Sequence, residues 1–186
     1  DDIATKTTLD FKEEGDIIYV LGKSTNDICS SEYLHSVLGV KYSPAPYFDL
    51  DEEKQLQDKV ATLISKKAIQ SAHDISEGGL FVMLCESGFT NDLGFSIITK
   101  DSLRKDAFLF GEGQSRVVVT VALDDISEFE SLVGDFPCEK IGVVSGGEIV
   151  VDGEFWGGID WWQEKYDTAI ETYLQKESAG SALSAI

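Results

Sequence analysis

Histidine, cysteine, proline and basic residues are all scarce in this 186-residue chain, which carries 2 His, 3 Cys, 3 Pro and 15 Lys plus Arg. Each scarcity removes a class of function. Cys29, Cys85 and Cys138 lie far apart, form no C-x-x-C and leave an odd count, so neither a zinc knuckle nor a complete disulfide framework is indicated. A reducing compartment, the cytoplasm, fits best. His35 and His73 are too few for a histidine-rich metal site. Against the 15 basic residues stand 34 acids, a net charge of -19, and such a surface repels nucleic acid and anionic membrane. The longest apolar runs, such as Leu80 to Cys85, are far too short to span a bilayer, and the first residues lack the charged-then-apolar pattern of a signal peptide. No P-loop, G-x-G-x-x-G fingerprint or nucleophile elbow is visible, and no internal repeat.

What remains is a globular composition, 42% hydrophobic, with length enough for one domain and a sizeable core. Residues 1–15 are polar, begin without Met and read as a linker from a preceding, missing domain; residues 16–177 read as the domain and 178–186 as a flexible tail. Ile17 to Gly22 predicts a buried strand. Ser30-Ser31-Glu32 ahead of Tyr33, Leu34, Val37 and Leu38 predicts a short capped helix ending at Gly39. From Asp51 to Gln70, Leu56, Val60, Leu63 and Ile64 share one helical face, with acids in the first turn and lysines in the last. A strand at Gly94 to Thr99 and a short helix near Ser102 to Phe108 follow. Arg116 to Leu123 is dense in β-branched residues without alternation, which predicts a central strand covered on both faces. Ile126, Phe129 and Val133 mark another helix. Ile141 to Val144 and Glu148 to Val151 read as a hairpin across Ser145-Gly146-Gly147, and Asp152-Gly153 as a further tight turn. A last helix, about Ile159 to Lys176, aligns Ile159, Trp162, Tyr166, Ile170 and Tyr173; this spacing makes Trp161 and Trp162 packing residues. The order of elements indicates an α/β (mixed α+β) single domain, a mixed sheet with helices packed on it.

Two polar clusters are candidates for chemistry. In Ser71-Ala72-His73-Asp74-Ile75-Ser76-Glu77-Gly78-Gly79-Leu80 a strand hands over to a helix. One reading has Ser76 or Asp74 capping the helix, Glu77 complementing its dipole, and Gly78 and Gly79 permitting close packing. The other has Asp74 and Glu77 holding a cation or accepting hydrogen bonds from a substrate; a phosphate there would need a metal or basic residue beside it. His73 reads as a loop-orienting donor rather than a base. In Leu109-Phe110-Gly111-Glu112-Gly113-Gln114-Ser115-Arg116 the alternatives are a glycine-rich turn with Arg116 paired to Asp74 or Glu77, or a ligand groove faced by Glu112 and Gln114.

Together with Ser31-Glu32-Tyr33-Leu34, these clusters in this order resemble the last domain of the phosphoribosylformylglycinamidine synthase family, within the superfamily of aminoimidazole ribonucleotide synthetase C-terminal-like domains. The resemblance covers nearly the whole chain. It implies an ATP-dependent carbon–nitrogen ligase of purine biosynthesis, converting formylglycinamide ribonucleotide to formylglycinamidine ribonucleotide with glutamine-derived ammonia. It further implies ATP and magnesium for the full-length enzyme with none retained by this piece. The implied partners are the missing N-terminal domains, a glutaminase subunit or domain, and the ribonucleotide. The catalytic histidine and main magnesium ligands would lie in absent domains, so no catalytic residue is assigned here. Substrate or nucleotide contact falls to Asp74, Ser76, Glu77, Gly78, Gly79, Glu112, Gln114 and Arg116, and Asp74 and Glu77 are the only metal candidates. Gly113 replaces the serine of the family's Glu-Ser-Gln segment, which puts contact by Glu112 and Gln114 in question. The alternatives are a non-catalytic scaffold half, or the equivalent domain of aminoimidazole ribonucleotide synthetase.

Overall fold

Strand β1 (Ile17–Leu21) is buried along its whole length because it has a strand on each edge and helices on each face. The computed structural model describes residues 5–175. The remaining strands are β2 (Ser71–Asp74), β3 (Gly94–Ile97), β4 (Val117–Val121), β5 (Cys138–Ser145), β6 (Glu148–Val151) and β7 (Glu154–Gly158), and the seven form one sheet in the order β2-β4-β1-β5-β3-β6-β7. Neighbours are antiparallel except β3 and β6.

Period-two alternation splits the core in two. Ile18, Val20 and Val118 face one side, packing with α2 (Gly79–Phe89), α3 (Lys105–Phe110) and the start of α5 (Ile159–Asp167). Ile17, Tyr19, Leu21, Val119 and Val121 face the other, under α1 (Leu50–Ser65) and α4 (Ile126–Val133). The mixed α/β architecture is therefore three-layered. The β-branched run is covered on both faces, but β4 lies one position in from the sheet edge rather than at its centre.

Helix α1 starts because Asp49 Oδ1 accepts the N–H groups of Asp51 and Glu52, both at 2.9 Å. It buries Leu56 and Leu63 and ends where Lys67 turns left-handed, short of Gln70. Lys59 Nζ reaches back to the Leu132 and Val133 carbonyls at the end of α4, tying the two helices of that face together. Ahead of β1, Phe11 is fully buried and the Ala72 amide donates to the Thr8 carbonyl, covering the β2 edge.

The expected hairpin between Ile141–Val144 and Glu148–Val151 is not formed. β3 inserts between them, antiparallel to β5 and parallel to β6. The turn at Asp152-Gly153 does close a hairpin, β6 to β7, whose bulge leaves Trp156 out of register and its carbonyl free to take the Trp162 indole N–H at 2.9 Å. Trp162 packs on Phe81 in the core, whereas Trp161 is half exposed. Of the predicted C-terminal stripe Ile159 and Trp162 pack into the core, and Tyr166, half exposed, lies on the Phe89 ring at 5.3 Å and donates to Glu86 Oε1 at 2.7 Å; Ile170 and Tyr173 are exposed. The tail predicted at 178–186 lies outside the described residues.

Candidate functional site

The register of the sheet gathers the polar loops at one end. Leu21, the last residue of β1, and Asp74, the last of β2, both pair with Val117, the first of β4, and Leu21 also pairs with Cys138, the first of β5. The segments 22–27, 75–79, 111–116 and 134–137 therefore meet there.

Glu112 is the hub of that end. Its Oε1 accepts the Gly78 amide at 2.9 Å and the Glu32 amide at 2.8 Å, so one carboxylate oxygen joins all three motif segments. The expected cap by Ser76 or Asp74 is absent: α2 has no side-chain cap of its own, and Ser76 contributes its backbone carbonyl to the Gly79 amide. A carboxylate from 34 residues away serves the helix start instead, held by the unpaired N–H groups and the helix dipole. Gly78 and Gly79 have φ of 84° and 72°, and a Cβ on Gly79 would lie 2.7 Å from the Phe110 backbone. Close approach to the end of α3 is thus the reason for glycine at 79. Tyr33, on a single π-helical turn (Tyr33–Val37), stacks on Phe110 at 5.1 Å and closes this corner.

Arg116 is 5% exposed, and burial pulls its guanidinium down to about 10. The expected pairing with Asp74 or Glu77 is not made. Its NH2 group donates to the Gly111 carbonyl at 2.6 Å and its Nε to the Gly113 carbonyl at 3.1 Å, which braces the glycine-rich turn from within. Charge suggested an acid in one of the two readings of this turn; the partners found are backbone dipoles.

Asp74, Ser76, Glu77 and Gln114 are exposed. No group of three or more His, Cys, Asp or Glu side chains among the described residues is arranged to hold a metal ion; Asp74 and Glu77 stand at the end of the sheet as exposed acids. His73 points away from this loop: Nδ1 lies 3.1 Å from Ser87 Oγ and Nε2 3.7 Å from Glu86 Oε2, tying β2 to α2. Ser87 is 1% exposed and donates to the Met83 carbonyl, so this Ser–His–Glu array is an internal brace without access for a substrate.

Beside Gln114 opens a cleft of about 470 Å³, lined in part by Lys23, Thr25, Tyr47, Gln55, Gln114 and Phe136. Lys23 is ion-paired to Glu52 at 2.6 Å, and Ser115 Oγ donates to Glu53 Oε2 at 2.7 Å, so α1 is stitched to both walls. Gly22 sits in the angle of the cleft with φ of 95°, where a Cβ would meet the Ser115 carbonyl at 2.1 Å. Among the residues lining this space, Gln55, Gln114, Thr25 and Tyr47 carry amides and hydroxyls able to donate and accept, although Thr25 Oγ1 already accepts the Asp27 amide at 3.3 Å and Gln114 Nε2 donates to the Glu112 carbonyl at 3.4 Å. Of the cleft residues, only Gly113, Gln114 and Ser115 belong to the polar clusters picked out in the sequence. The signal for the others was the Gly22-Lys23-Ser24-Thr25 exit from β1, which becomes informative only once β1 is known to lie beside β4.

Known proteins resemble this chain in sequence and in fold. The phosphoribosylformylglycinamidine synthase subunit PurL of Caldanaerobacter subterraneus subsp. tengcongensis is 40% identical over 154 residues, covering 82% of this chain and 21% of that protein. The same subunit of Thermoanaerobacter pseudethanolicus is 39% identical over 154 residues, with the same coverage. The chain spans about a fifth of the length of these curated relatives. Among solved structures, T. maritima PurL complexed with FGAR superimposes with a TM-score of 0.72 at 15% identity, over 86% of this chain and 29% of that one, a likeness of fold. The family model described as AIR synthase related protein, C-terminal domain, matches residues 13–153, a span running from just before β1 to the β6–β7 turn and taking in all three clusters, and the chain belongs to that family.

Proposed function

We propose that this chain is the C-terminal portion of an ATP-dependent ligase that converts formylglycinamide ribonucleotide to formylglycinamidine ribonucleotide in the cytoplasm. In that reaction the amide oxygen takes the γ-phosphoryl group of ATP, ammonia derived from glutamine attacks the amide carbon, and phosphate leaves. The missing domains of the same polypeptide and a glutaminase would be its partners. On this reading the main magnesium ligands belong to those missing domains.

The observation that carries the reading is the junction at Glu112. Three short segments shared with a ligase family are brought to one end of the sheet, beside an open cleft. On this reading the chain supplies a wall: Gln114, Gln55 and Thr25 offer hydrogen bonds, and Glu112 and Arg116 hold the loop that presents Gln114. Preorganised charge from the opposite side of the cleft is needed for turnover. Amidine formation by the intact polypeptide with ATP, magnesium, ribonucleotide and ammonia is the test. The intact protein is expected to turn over and the 186-residue chain alone is not; turnover by the isolated chain would refute the dependence on other domains.

One observation favours a second reading, a scaffold half. Glu112 and Arg116 already have backbone partners, which leaves only exposed side chains for a ligand. Calorimetry on the intact protein carrying Gln114→Ala and Gln55→Ala separates the two. Unchanged nucleotide and ribonucleotide binding would support the scaffold.

A further inference from the structure

Sixteen large apolar side chains are exposed among the described residues, and seven of them fall between positions 37 and 50, a density that scattered surface exposure does not produce. Tyr42 is 92% exposed, Leu50 75% and Val37 68%; Leu38, Tyr47 and Phe48 are about half exposed or more. These side chains are not on a loose loop. Asp27 clamps both ends of it, accepting the Cys29 amide on Oδ1 at 2.8 Å and the Tyr47 amide on Oδ2 at 3.1 Å. Ser30 crosses the middle, its amide donating to Ser43 Oγ at 2.7 Å and its hydroxyl to the Pro44 carbonyl at 2.9 Å. Folding therefore invests polar bonds in holding apolar groups outward, where water penalises them. The loop is rooted at the site end of the sheet: Glu32 binds Glu112 near its start, and Tyr47 lines the cleft near its end.

We propose that the loop 33–50 is the docking surface for another domain of the same polypeptide, one presenting an apolar face with a basic rim. The inference rests on the reading of this chain as a portion of a longer ligase. Two observations select that occupant. The chain spans about a fifth of its curated relatives, so most of such a polypeptide lies outside it; a tethered domain docks at high effective concentration and needs only a modest face. Between positions 27 and 53 there are six acids, Asp27, Glu32, Asp49, Asp51, Glu52 and Glu53, against Lys41; Glu52 is paired to Lys23, which still leaves the face net acidic. With a net charge of -19 on each chain, two copies would bring like charge together around this face, whereas a basic rim is attracted to it.

Hydrogen exchange of residues 33–50 is to be compared in the intact polypeptide and in the 186-residue chain, with a photo-crosslinking side chain placed at position 42. Docking predicts exchange slowed by about tenfold or more in the intact protein, and crosslinks to residues of the same polypeptide outside this chain. Tyr42→Asp with Phe48→Asp should restore fast exchange in the intact protein while leaving the melting temperature of the 186-residue chain unchanged. Equal exchange in the two forms, or crosslinks to a second copy or to an unrelated protein, would overturn the proposal. Amidine formation is measured in parallel. An active enzyme with an unprotected loop defeats the docking surface alone, and a protected loop in a protein without ligase activity defeats the ligase reading alone.

Discussion

Glu112 Oε1 lies 2.9 Å from the Gly78 amide nitrogen, and that contact makes a side chain next to β4 the cap of a helix that begins after β2. The same oxygen takes the Glu32 amide, so removing one carboxylate unpairs two backbone donors. Glu112→Ala is expected to destabilise the chain by about 2 kcal/mol, and Glu112→Gln, which keeps an acceptor but loses the charge, by roughly half of that. Urea denaturation reads both; equal losses would show that charge, not acceptance, matters at this position.

Gly79 tests the close approach to Phe110. Alanine there must accept both a left-handed backbone and a Cβ 2.7 Å from backbone atoms, whereas at Gly153, with φ of 79° and nothing within 4 Å, only the backbone term applies. Gly153→Ala should cost about 1 kcal/mol and Gly79→Ala about 3 kcal/mol or more, measured by thermal melts of the two variants side by side.

Asp16 is 5% exposed and its Oδ2 has no hydrogen-bond partner; burial first, then the neighbouring charges of Glu13 and Asp125, raise its carboxyl above the usual 3.8. The folded state therefore holds this proton more tightly than the unfolded chain does. Its contribution to stability is fully present below 3.8 and is lost as pH rises through the raised folded value. Asp16→Asn should be more stable than the parent at neutral pH, and the advantage should shrink on acidification through that window. An advantage independent of pH would count against the assignment.

The three thiols should separate by reactivity. Cys85 sits inside α2, and burial pushes its thiol well above the ordinary range; Cys138 is pushed up to about 12, first by burial and then by Glu130 and Glu139. Cys29 is raised chiefly by its hydrogen bond to Asp27 and is half-buried in the clamped loop. Timed labelling with an aromatic disulfide followed by mass spectrometry should find Cys29 modified first, Cys138 slowly, and Cys85 only on unfolding.

Local pattern was enough for several features. Leu56 and Leu63 are buried where helical spacing put them, Ile126, Phe129 and Val133 face the core from α4, and the handover at 71–80 is a strand followed by a helix. The errors share a cause. Gly146 and Gly147 suggested a hairpin because they are adjacent, but the partner of β5 is a strand more than forty residues earlier. Ser76 suggested a cap because it is near, but a carboxylate from another loop reaches the helix first and carries more charge to the dipole. Arg116 suggested an ion pair, but the carbonyls of Gly111 and Gly113 are nearer than any acid.

Residue order alone thus decided which segments could become strands and helices, how acidic the surface is, and where the three short polar motifs fall along the chain, because each depends on neighbours within a turn or a strand. Tertiary structure decided that Glu112 is a junction, that Lys23, Gln55 and Phe136 share a cleft with Gln114, and that residues 37–50 face outward. Those facts depend on which strands lie side by side, and strand pairing over long separations is settled by burial of both sheet faces at once rather than by any local preference.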